Sequence, residues 1–144
     1  MAIKNYDPKK IAVIFGGQPI TGFAEGTFVK VEYDEDAFTL QVGADGETTR
    51  IKNANMAGKI TVTLMGSSAS NDYLSGLAIT DRLTGTGTFA GLVKDARGTS
   101  LHAAATCWVQ KVPSSEFAKE NPGNREWVVA TDELIAFVGG VAQS

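Results

Sequence analysis

The sequence predicts a mainly β fold, an antiparallel β-sandwich or open barrel with one flanking α-helix. Three observations carry that prediction. Apolar and polar residues alternate in several short segments, glycine-containing turns separate them, and one stretch alone switches to helical spacing. No strand–helix–strand alternation of the kind that builds a parallel sheet is present. At 144 residues, 43% hydrophobic and 20% charged, the chain fits one compact domain over 1–144 better than two, and is too apolar for a disordered tail.

Taken in order, residues 10–15 form the first strand, which ends where Gly16-Gly17-Gln18-Pro19 breaks the apolar run. Residues 28–34 alternate cleanly, with Val29, Val31 and Tyr33 on one face and Lys30, Glu32 and Asp34 on the other. Phe38, Leu40 and Val42 then alternate with Thr39 and Gln41. After Ala44-Asp45-Gly46 comes a return run over 47–52, so a hairpin is predicted, its glycine supplying the positive φ of a tight primed turn.

Residues 59–64 set Ile60, Val62 and Leu64 against threonines and give the least ambiguous strand. Tyr73, Leu74, Leu77 and Ala78 fall at helical spacing, with Ser70 or Asn71 available to cap the start and Gly85 to end it. The spacing predicts a helix of about three turns, slightly weakened by Gly76, whose core face is Leu74, Leu77 and Ala78. Asp72, Asp81 and Arg82 are expected to face solvent or a neighbouring subunit. Further strands follow at 88–94, 101–111, 126–130 and 134–138, with a turn at 95–98 and a loop at 113–124.

Several functions are disfavoured at this level. No apolar run approaches the roughly 20 residues that span a bilayer, so no membrane insertion is expected, and residues 1–8 lack the apolar region of a secretory signal. One cysteine, Cys107, excludes an intrachain disulfide and suits a reducing compartment. A net charge of -3 and a pI near 5.1 offer no basic footprint for gripping phosphates.

His102 is the single histidine and has no partner ligand at i, i+2 or i, i+4, so a structural or surface role is favoured over metal binding. Cys107 has no orienting base beside it and reads as a small buried residue next to Trp108. The Asp34-Glu35-Asp36 run lacks the glycine and glutamate of a calcium loop, and 85–91 lacks the spacing of a nucleotide-binding loop. No catalytic, cofactor or metal site is predicted.

The acidic residues are less bland. Glu32, Asp34, Glu35, Asp36, Asp45 and Glu47 are six of the chain's 16 acids, with no lysine or arginine between 32 and 47. Such a segment is either a solvated loop or a surface that carries a negative field.

Over nearly its whole length the sequence resembles the small single-domain tail tube proteins of contractile-tailed bacteriophages. The resemblance rests on Val42-Gly43-Ala44-Asp45-Gly46, Gly58-Lys59-Ile60-Thr61-Val62-Thr63-Leu64, Ser70-Asn71, Lys94-Asp95 with Gly98, Cys107-Trp108-Val109-Gln110-Lys111 with Pro113, Glu126-Trp127-Val128 and Phe137-Val138-Gly139-Gly140. It implies a β-sandwich with a long extended hairpin, assembled in the host cytoplasm into stacked hexameric rings that form the tail tube of a virion. Its implied partners are further copies of itself, a tail sheath protein, a tape-measure protein in the lumen, and DNA that passes without specific binding. No enzyme activity or cofactor is implied.

On this reading Glu32, Asp34, Glu35 and Asp36 are the lumen candidates, and Gly43, Ala44, Asp45, Gly46 and Glu47 the candidate inter-subunit hairpin. A second reading is a soluble cytoplasmic β-sandwich binding module that recruits a basic partner through the acidic hairpin.

Overall fold

The computed structural model describes residues 7–119 and 122–140. Ten strands follow a short 3-10 turn at Pro8–Lys10: β1 (Ile11–Phe15), β2 (Gln18–Pro19), β3 (Val29–Tyr33), β4 (Phe38–Val42), β5 (Thr48–Lys52), β6 (Gly58–Met65), β7 (Phe89–Asp95), β8 (Leu101–Lys111), β9 (Asn124–Thr131) and β10 (Ile135–Phe137). One helix, α1 (Ser70–Thr84), separates β6 from β7.

Eight strands make a single antiparallel sheet in the order β2-β1-β7-β8-β9-β6-β3, with β10 pairing the start of β8. These eight strands curl on themselves as an open barrel, and β4 and β5 form a second, two-stranded sheet. The curl is visible at Gly91 of β7, where an added Cβ would sit 2.9 Å from Cys107 Sγ, 3.5 Å from the Phe15 ring and 3.6 Å from Ile60 of β6. Strands three places apart in the sheet meet there, and only glycine leaves them room. Register shifts on both sides of β8, between Phe89 and Gly91 and between Val109 and Lys111, add the local bend and twist that such coiling needs.

The core lies inside this curl. Val13, Phe15, Ile60, Val62, Leu64, Leu74, Cys107, Trp127 and Val129 are all buried in one cluster. Each such side chain contributes about 1.5–3 kcal/mol by leaving water. On β6 the sequence alternation becomes a burial alternation, with Ile60, Val62 and Leu64 inward and half-exposed Thr61 and Thr63 between them.

Helix α1 covers one side of the curl. Leu74 is fully buried, and half-buried Tyr73, Leu77 and Ala78 pack on the core beside it. Two polar ties fix its position: Tyr73 donates its hydroxyl to Phe15 O at 2.8 Å, and Trp127 Nε1 donates to Asn71 Oδ1 at 2.9 Å.

The helix runs 15 residues, a turn longer than the spacing predicts. Its start also corrects the expected cap. The N-cap position is Ala69, and it is Ser68 Oγ that accepts from Ser70 N, at 3.2 Å. Ser70 and Asn71 are engaged elsewhere, Ser70 Oγ accepting from Thr21 N. The C-terminus follows the sequence, with Gly85 at φ +71°. Asp72 and Arg82 are exposed, whereas Asp81 is half-buried and accepts from Gly87 N at 3.2 Å.

An edge of the sheet is sealed by a side chain. Tyr33 Oη donates to Leu134 O at 2.7 Å and accepts from Ala136 N at 3.2 Å, which spends the outward amide of β10. Among the described residues the outer edge of β3 has no such cover. The bonds Thr63 N to Phe28 O and Asp34 N to Ala57 O turn the even-numbered residues of β3 toward β6 and leave the backbone groups of Val29, Val31 and Tyr33 facing outward.

Candidate assembly surfaces

Among the described residues β4 and β5 pair only with each other, in the register Phe38↔Lys52, Leu40↔Arg50 and Val42↔Thr48. All residues of both strands are exposed. An isolated two-stranded ribbon is marginal in water, so its apolar side chains lack the cover that normally stabilises one. By register, Phe38, Leu40 and Val42 share one face with Lys52 and Arg50, and the Arg50 guanidinium stacks on the Phe38 ring at 3.9 Å.

The tip is not the two-residue primed turn that the sequence predicts. It is a three-residue loop closed by Gly43 N to Glu47 O at 2.6 Å and Gly46 N to Gly43 O at 3.0 Å, with Gly46 at φ +88°. The extra residue gives Asp45 a role, since its Oδ1 accepts from Glu47 N at 3.1 Å.

The acidic residues sit at the base of this hairpin and near its tip. Glu32 projects from β3 on the face opposite Val29 and Val31, and Lys30 lies 3.7 Å from its Oε2. Strand register sets Lys59 opposite Glu32, and its ammonium reaches Asp34 Oδ1 at 3.7 Å. Exposed pairs of this kind are worth about 0–1 kcal/mol, but the two lysines offset two of the six acids that a count along residues 32–47 gives. Lys59 is distant in sequence, so only the register of β6 reveals it. Glu35 Oε2 accepts from Asn53 Nδ2 at 2.6 Å, which ties the two legs of the hairpin base together. Asp36 is exposed.

The two reactive side chains considered above are quiet. Cys107 is fully buried, and burial pushes its thiol up to about 11, far from the nucleophilic range. His102 on β8 has its pKa lowered by burial, which keeps the imidazole neutral. Among the described residues, no group of three or more His, Cys, Asp or Glu side chains could hold a metal ion. No helix among the described residues is long and apolar enough to cross a membrane.

One concave feature was not legible in the sequence. A cleft of about 500 Å³ opens between the β1 edge and the β3 edge, lined by Ile11, Val29, Val31, Val93, Asp95 and His102 among others. Asp95 is 5% exposed; its Oδ1 accepts from Arg97 N and Gly98 N, both at 3.0 Å, while Oδ2 has no partner among the described residues.

Against known proteins, residues 16–139 match the model of a family described as bacteriophage PhiTE tail tube protein. The chain is 34% identical over 143 residues to "Structural protein ORF10" of Pseudomonas phage KPP10, covering 94% of this chain and 82% of that protein.

Three solved structures share the fold. A chain of the sheath/tube terminator of an extracellular contractile injection system aligns with a TM-score of 0.63 at 13% identity, over 96% of this chain and 100% of the other. A chain of the sheath–tube complex of such a system gives 0.61 at 12% identity, over 93% and 92%. The tube-terminating cap of the anti-feeding prophage gives 0.62 at 10% identity, over 96% and 95%.

Proposed function

Because the chain belongs to the bacteriophage PhiTE tail tube protein family, and is therefore a structural protein of a phage tail rather than an enzyme, we propose that it acts as one domain, assembling into hexameric rings that stack into the inner tube of a contractile tail. The observation that supports this beyond the family name is the hairpin: ten strand residues, apolar ones included, that stay exposed among the described residues. Residues 43–47 at its tip are then an inter-subunit element. Stacking by a heterologous, non-closing contact makes a filament, while closure within each ring uses up exposed sheet edges.

In this reading the tube sits inside a sheath and carries a tape-measure protein and then DNA through its lumen. Its assembly in the host cytoplasm needs no membrane insertion by this chain. Glu32, Asp34, Glu35 and Asp36 are the lumen candidates. If the outer face of β3 lines the channel, Glu32 presents the same sign of charge as DNA phosphate at every ring, within a screening length of about 8 Å. The binding-module alternative gives way to family membership.

Electron microscopy of the purified protein, alone and with tail components, tests assembly: rings of six or rods are expected, and monomers under every condition would refute it. Glu32→Lys with Asp34→Lys, in particles shown to carry both, is expected to slow DNA release at low ionic strength without changing tube length. Unchanged release kinetics would move these acids to the outer surface.

A further inference from the structure

The cleft between β1 and β3 has three properties that a closed barrel would not leave open. Its walls are apolar, with Ile11, Val29, Val31 and Val93 facing in. Two of its lining residues carry a buried polar atom that has no partner among the described residues, Asp95 Oδ2 and His102 Nδ1. It is bordered by the uncovered outer edge of β3, whose outward amides and carbonyls can take an extended backbone. A buried carboxylate oxygen without a donor is costly to a protein, and natural structures rarely keep one unless something else supplies the donor.

The hairpin carries the complement of each property. One face sets Phe38, Leu40 and Val42 beside Arg50 and Lys52. The backbone groups of Phe38, Leu40 and Val42 point outward, because the bond Asn53 N to Ala37 O and the register place the alternate residues against β5. Among the described residues, Arg50 and Lys52 have no carboxylate partner. Arg50 is also braced on the Phe38 ring, so its planar fork enters an interface with less conformational freedom to lose.

We infer that the β1–β3 cleft of each subunit receives the hairpin of a second copy of this chain, with Leu40 against Val29 and Val31 and with Arg50 on Asp95. A second copy is the occupant this fits, since among the described residues β4 and β5 pair with no other strand. Neutral His102 adds no like charge against the incoming guanidinium. The inference rests on the tube reading above and adds to it the receptor site.

Two experiments separate the inference from that reading. With Leu40 replaced by a photoreactive amino acid, irradiated tubes or whole tails are expected to cross-link between subunits to residues 26–31 or 93–102. Intact tubes that cross-link elsewhere overturn the cleft assignment and leave the tube function standing. A protein that gives neither tubes nor inter-subunit cross-links overturns both.

The second experiment concerns the ion pair. Asp95→Asn keeps Oδ1 as acceptor for the Arg97 and Gly98 amides. It is expected to raise the protein concentration needed for tubes at least about tenfold, as losing one member of a buried pair does. Arg50→Gln should do the same, and the double variant should be no worse than the worse single one. Additive losses, or Asp95→Asn tubes at wild-type concentration, overturn the pairing.

Discussion

β6 and β4 follow one rule of sequence and end in opposite environments. Both alternate large apolar residues with threonine or glutamine, yet Ile60, Val62 and Leu64 are 0% exposed while Phe38, Leu40 and Val42 are 43%, 67% and 60% exposed. The difference lies in their neighbours. β6 has β9 on one side, β3 on the other and α1 in the same core cluster, whereas β4 has β5 alone. Alternation therefore tells which face is apolar; the rest of the chain decides whether that face is covered within the subunit or left for another molecule.

The sharpest test of that contrast places a charge on the covered side. Leu74→Asp places a carboxylate at a fully buried site, at a cost of roughly 4 kcal/mol or more against a total stability of about 5–15 kcal/mol. Insoluble or unfolded protein is expected; a soluble protein with a wild-type melting curve would contradict the core assignment. Trp127→Phe removes the bond from Nε1 to Asn71 and leaves Oδ1 without that donor, at a cost of about 1–2 kcal/mol. Calorimetry should show a Tm lower by several degrees, and no change would make the tie between β9 and α1 irrelevant.

On the hairpin the outcome should invert. Deleting residues 43–47 and closing with a short turn is expected to change stability by less than about 0.5 kcal/mol, as for surface changes away from the core. Microscopy should nevertheless show no tubes. Long tubes from the deletion variant would exclude the tip from assembly.

The smallest effect concerns pH. Burial lowers the His102 pKa below its ordinary 6.5, so the unfolded chain binds the proton first. The stability linked to this group is present above that value and is lost as pH falls through it. Thermal melts between about pH 7 and pH 5 should show a shallower decline for His102→Gln than for wild type. Equal slopes would mean that the imidazole does not sense folding.

Local rules carried much of this fold. The bounds of β8 at Leu101 and Lys111, the stop of α1 at Gly85 and the inward face of β6 all follow from near neighbours in sequence. What was hidden depends on register between distant strands or on the exact geometry of a turn or cap. Lys59 opposite Glu32 is one case, Ser68 in place of Ser70 at the helix start another, and the third Gly43–Glu47 loop residue a third. The cleft was the least legible feature, since it takes β1, β3, β7 and β8 together to bring Asp95 and His102 to one wall.

The Tyr33 clasp on β10 sets the valence of the subunit as a monomer in the polymer sense. With the outward amide of Ala136 already taken, strand addition at β10 is blocked, while β3 remains able to accept. The clasp thereby removes one bonding site from the subunit, and it leaves the outer edge of β3 and the exposed β4–β5 hairpin as surfaces still open to another molecule.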